Sequence, residues 1–190
     1  MSATFKPYGL RPIRHRYGGE IRTETMVGGI ASAYAATIRL GDPMKLVTGG
    51  TFQLAAATES ISAVFAGVLF EDAGDWQKSQ QWTSGETYTK SPQVLFYPVR
   101  DIEFAIQGVG TIARTAIGDA ADWVAGTGNS NAGTSGGYLA SGSLAGAAAS
   151  AQLKIIDLLR KPGNEWGDTY TEVVVAVNEL NLGHELGNAI

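Results

Sequence analysis

Short apolar runs, each closed off within a few residues by glycine, proline or aspartate, set the limits on what this chain can fold into. From residue 30 onward they fall at Tyr34 to Ile38, Pro43 to Val47, Phe52 to Ala55, Ile61 to Phe70, Val94 to Pro98, Glu103 to Gly108, Leu153 to Leu159 and Glu172 to Asn178. Between them stand Gly41-Asp42-Pro43, Gly49-Gly50, Gly74-Asp75, Ser84-Gly85 and Pro162-Gly163-Asn164, whose torsional preferences reverse a chain. Runs of this length are strands rather than helices, and Ile102-Glu103-Phe104-Ala105-Ile106 alternates as a half-buried strand does. The pattern predicts an all-β protein with a small barrel-like or sandwich-like body. Thr115 to Val124 is the exception and reads as one short helix. The 25 glycines suit such a turn-rich fold, because glycine supplies the positive φ that tight turns need.

The 190 residues suffice for one domain with a real core. Cysteine is absent, so disulfides, thiolate metal sites and cysteine nucleophiles are all excluded. No apolar run approaches the roughly 18 residues of a membrane-spanning helix, and the basic start lacks the apolar segment of a signal peptide. A chain made in the cytoplasm, with no membrane partner, is expected.

Charge divides the chain. Residues 1 to 24 hold five Lys or Arg against Glu20 and Glu24, a net +3, in a protein whose total is −4. Pro7, Gly9, Pro12, Gly18 and Gly19 break any helix there, while Phe5, Tyr8, Ile13 and Tyr17 keep the segment sticky. Residues 1 to 27 are therefore expected to form an extended basic arm, and residues 28 to 190 the β body. Between Trp123 and Leu153 no residue is charged, and GTGNSNAGTSGG and SGSLAGAAASAQ are low in complexity. A long Gly-, Ala- and Ser-rich loop or hairpin insertion is expected at about 126 to 151, anchored by Tyr138 and Leu139.

Motifs for chemistry are weak. Gly126, Gly128 and Gly133 resemble a phosphate-binding loop only loosely, since no Lys follows until Lys154 and no helix start is signalled. Glu71, Asp72 and Asp75 lack calcium-loop spacing and read as a polar turn, as do Asp119 with Asp122 and Glu165 with Asp168. His15 lies between Arg14 and Arg16, which disfavour both its charged form and a metal, and His184 is in the terminal segment. No catalytic, metal or cofactor site is assigned, and a non-enzymatic protein is expected. Trp76, Trp82, Trp123 and Trp166 fall in expected turns or loops, where tryptophan serves as an interface anchor or caps the end of a barrel. Phe5, Tyr8, Arg11, Arg14, Arg16, Tyr17, Trp76 and Trp82 are the candidate protein-contact residues. Nucleic acid is the rival partner for the basic arm, and a Trp-rich polysaccharide-binding surface is a third reading.

Four stretches carry a resemblance. Leu153-Lys-Ile-Ile-Asp-Leu with Arg160-Lys-Pro-Gly-Asn-Glu-Trp-Gly-Asp and Val173-Val-Val-Ala-Val-Asn-Glu-Leu is similar to the close of tailed-bacteriophage capsid decoration, or cement, proteins. The start Phe5-Lys-Pro-Tyr-Gly-Leu-Arg-Pro, the pairing of Ile61 to Phe70 with Phe96-Tyr-Pro-Val, and Asp122-Trp-Val-Ala-Gly-Thr-Gly-Asn resemble them too. The resemblance implies a β-barrel-like body on the outside of a phage head, with an extended terminus bridging major capsid protein subunits. A homo-oligomer formed on the capsid, trimer or dimer, fits the symmetry of a shell.

Overall fold

A computed structural model describes residues 4–72, 74–88, 90–146 and 151–178. His184 and residues 147–150 of the low-complexity insertion lie outside the described residues. The described chain is all-β, with two 3-10 turns, Arg114–Ala116 and Ser141–Ser143, and no α-helix. Its strands are β1 (Arg11–His15), β2 (Glu24–Val27), β3 (Ile38–Arg39), β4 (Pro43–Val47), β5 (Thr51–Leu54), β6 (Ala63–Asp72), β7 (Asp75–Ser79) and β8 (Gln81–Trp82). They continue as β9 (Gln93–Pro98), β10 (Ile102–Val109), β11 (Ala120–Ala121), β12 (Trp123–Val124), β13 (Tyr138–Ala140), β14 (Leu153–Leu158) and β15 (Glu172–Val177).

Two larger sheets build the barrel-like body. One has the order β11-β14-β15-β10-β13-β12, with β1 also on β10; the other has the order β2-β9-β6-β4-β5, with β7 also on β6. A two-stranded ribbon joins β3 to β8. Phe104, Ile106, Val173, Val175, Leu153 and Ile155 project from the first sheet into the main core, where Val64 of β6 and Leu10 of the arm meet them. A second core gathers Ile38, Met44, Phe52, Ala63, Phe65, Val68, Trp82, Val94 and Phe96.

Strand β6 reaches both cores because side chains alternate across a strand. Strict alternation would place Ala63 and Val68 on opposite faces, yet both belong to the second core. A β-bulge between Phe65 and Gly67 resets the phase. Gly67 makes it possible: its φ is 136°, and an added Cβ would sit 2.9 Å from the Ser79 carbonyl.

Two expectations are corrected. The run Tyr34 to Ile38 is strand only from Ile38, because Ala33 takes a left-handed φ of 59° and the Tyr34 N–H turns back to the Ala31 carbonyl. Thr115 to Val124 is no helix. Gly118, at φ 92°, terminates the 3-10 turn, and the backbone beyond it pairs with β14 as β11.

The turn into β4 carries a buried carboxylate. Asp42, 6% exposed, accepts the Arg39 N–H at 2.8 Å and a Ser135 hydroxyl, yet burial outweighs these bonds and raises its pKa above the usual carboxylate range. A raised native pKa means that the folded state binds more protons, so this contribution to stability is greatest below the unfolded value of about 3.9 and is lost as pH rises through the folded value. Asp42→Asn is expected to flatten that part of the profile. Thermal melts across pH 4 to 7 test it, and an unchanged pH profile would contradict the assignment.

Candidate protein-contact surface

The N-terminal segment is laid against its own body through two strands. Strand β1 pairs antiparallel with β10, Arg11 opposite Ala105 and His15 opposite Ile102, and β2 pairs with β9 of the other sheet. Residues 4 to 27 thus bridge both sheets.

What holds the arm is the outer face of β10 and β15. Ile102, Phe104 and Ile106 point into the main core, so Glu103 and Gln107 point the other way, with Glu172 opposite Gln107 in the register. All three are buried polar side chains. Glu103 takes the Arg14 Nε at 2.5 Å and lies 3.7 Å from the Arg16 Nε. Gln107 bonds the arm backbone twice, its Oε1 accepting the Lys6 N–H at 2.8 Å and its Nε2 donating to the Thr4 carbonyl at 3.1 Å. Glu172 accepts the Tyr8 hydroxyl at 2.7 Å and pairs with Lys161. Burial, and then the bond to Glu172, push the Tyr8 hydroxyl far above the ordinary phenol range.

Beyond Tyr8 the arm enters a three-way junction. Gly9 N–H donates to the Gly137 carbonyl at 3.0 Å and Leu10 N–H to the Gly41 carbonyl at 2.8 Å. Ser135 N–H donates to Leu40, so arm, β3–β4 turn and low-complexity insertion are tied by backbone bonds. The insertion is anchored here by Leu139, fully buried, and by Tyr138. The Phe5 ring packs on Tyr138 at 5.8 Å and Tyr170 at 5.5 Å and remains 44% exposed.

The candidate contact residues separate. Phe5, Tyr8, Arg11, Arg14, Arg16 and Tyr17 share the arm, with Tyr17 77% exposed. Trp76 lies apart on the exposed strand β7, 50% exposed. Trp82 is a correction. It is fully buried in the second core, its ring 5.2 Å from Tyr88, because β8 turns it inward opposite Ile38. Trp123 is buried and Trp166 packs partly on the main core, so both serve the interior.

Two of the acidic positions bond to backbone, and Glu71 pairs with Lys90 at 2.6 Å. Asp168 accepts the Glu165 N–H at 3.1 Å, and Asp122 accepts the Gln152 N–H at 3.2 Å. Glu71, Asp72 and Asp75 close the β6–β7 hairpin. The His15 Nδ1 accepts the Tyr17 N–H at 3.3 Å. Among the described residues, no group of three or more His, Asp or Glu side chains gathers where a metal could be held.

The row formed by Glu103, Gln107 and Glu172 was not singled out in the sequence. Its signal was there: polar residues on one face of two strongly apolar strands, in a chain whose arm carries the opposite charge. No protein-family model, curated protein or solved structure matches the chain.

Proposed function

We propose that the protein is a structural virion component that binds the outer surface of a tailed-bacteriophage head and cements neighbouring major capsid protein subunits against internal DNA pressure. One observation carries the reading. Of the five large hydrophobic side chains exposed among the described residues, three (Phe5, Tyr17 and Val27) lie in the first 27 residues, a segment otherwise fastened by polar bonds. A segment held rigid by polar contacts while presenting apolar groups outward has its ordering cost met before a partner arrives. Many weak copies on a symmetric shell then gain avidity from repetition.

The same geometry disfavours nucleic acid. Arg14 and Arg16 share Glu103 and Arg22 pairs with Glu20 at 2.7 Å, which leaves Lys6 and Arg11 as the arm's cations without an ion pair among the described residues. Little charge remains for phosphates. On the shell the protein would be a dimer or trimer, following the local symmetry axis.

Binding only to assembled heads stabilises them by mass action. Heads stripped of the protein are expected to disrupt at a lower temperature, and adding the purified chain back should restore the original value. Stripped heads that withstand heating as well as intact ones would refute the proposal.

A further inference from the structure

Where the arm crosses from one sheet toward the other, it leaves a pocket of about 420 Å³. Tyr8, Leu10, Arg11 and Pro12 of the arm form one wall; Leu40 and Gly41 of the β3–β4 turn, Tyr97 of β9 and Thr134 of the insertion form the rest. The lining is mainly apolar: two leucines, a proline and two tyrosines. At its edge lies one cation. The Arg11 guanidinium stands 4.8 Å over the Tyr8 ring and makes no ion pair among the described residues, whereas Arg14, Arg16 and Arg22 each have a carboxylate. The Tyr8 hydroxyl is committed to Glu172, which fixes the ring beneath Arg11.

A pocket of this size takes one large apolar side chain or a small aromatic molecule. An unpaired guanidinium at its mouth recognises a carboxylate. We propose that this pocket receives an acidic peptide segment of the protein's partner, one that inserts a bulky apolar side chain and places a neighbouring carboxylate on Arg11. One wall of the pocket comes from the same arm that carries the exposed Phe5, Tyr17 and Val27. The partner's identity as capsid protein rests on the shell-binding reading; the chemistry of the pocket does not.

Two variants separate the parts. Arg11→Glu reverses the charge at an exposed position, and Thr134→Trp fills the cavity; Arg114→Glu reverses another exposed cation elsewhere as a control. The first measurement uses 8-anilinonaphthalene-1-sulfonate, an aromatic anion, titrated against the full chain by fluorescence. Wild type and Arg114→Glu should bind it saturably at one site, Arg11→Glu at least tenfold more weakly, and Thr134→Trp not at all, with melting temperatures confirming folding. The second measurement is retention on stripped heads, which Arg11→Glu should reduce at least tenfold. Wild-type-like probe binding by Arg11→Glu would overturn the pocket assignment, even if Thr134→Trp does not fold. Probe binding lost but head retention unchanged would make the pocket a small-molecule site and overturn the peptide. A wild-type chain that does not bind heads at all would instead refute the shell-binding reading, and the named partner with it.

Discussion

Replacing Gly9 with alanine is expected to destabilise the protein by about 2–5 kcal/mol, the sum of a left-handed backbone forced on an L residue and of overpacking. Gly9 has φ 72°, and a Cβ there would lie 2.5 Å from the Gly41 carbonyl and 2.6 Å from the Ser135 Cβ. Gly41 cannot move away freely, because its carbonyl accepts from Leu10 and its N–H donates to Phe65. The strain falls where arm, turn and insertion join, so the arm should loosen before the sheets do. Urea unfolding gives the size of the effect, and limited proteolysis should show cleavage near Tyr17 at protease levels that spare the wild type. A variant as stable and as resistant as the parent would mean that the junction does not hold the arm.

Trp82→Ala should cost about 3–5 kcal/mol, the range for deleting a large buried aromatic. The ring is 0% exposed among Ile38, Phe65 and Val94, and no rearrangement of a ribbon as short as β3–β8 can fill its space. Trp76→Ala, by contrast, should shift stability by no more than about 0.5 kcal/mol, as exposed substitutions do. If Trp76 contacts the shell, its loss will weaken head retention while leaving the melting temperature unchanged. Equal effects of the two substitutions on stability would contradict the placement of both side chains.

These two tryptophans show where sequence reasoning ran out. Gln81-Trp82 is too short for alternation to show, and Thr83-Ser84-Gly85 after it signals a loop. Only the partner strand β3, far off in sequence, decides that Trp82 points inward. Strands with their own signal were legible: β4, β5, β6, β9, β10, β14 and β15 fall within about two residues of the apolar runs. The arm strands were not. β1 contains Pro12 and is largely uncovered, and β2 is Glu-Thr-Met-Val with little burial; each is a strand because an edge of β10 or β9 offers it hydrogen bonds.

The arm's charge was legible but its destination was not. A +3 segment beside an acidic body reads as a search for some acidic partner, and that partner proves in part to be Glu103 of the same chain. The finding redirects attention from the cations, mostly spent on intramolecular pairs, to the apolar groups the same segment leaves outward. It also explains how a cysteine-free chain keeps a Gly- and Pro-rich terminus ordered. The buried polar side chains Glu103 and Gln107 on β10 take their partners from the arm and would be left unpaired without it, while Glu172 on β15 would keep Lys161.

The position of the copies on an intact particle tests most directly the proposal that this surface faces a capsid. An image reconstruction of whole heads should place density for this chain on the outer surface, with residues 4 to 27 and the pocket around Arg11 against capsid subunits. Copies located inside the shell, or bound with the arm turned to solvent, would contradict the account.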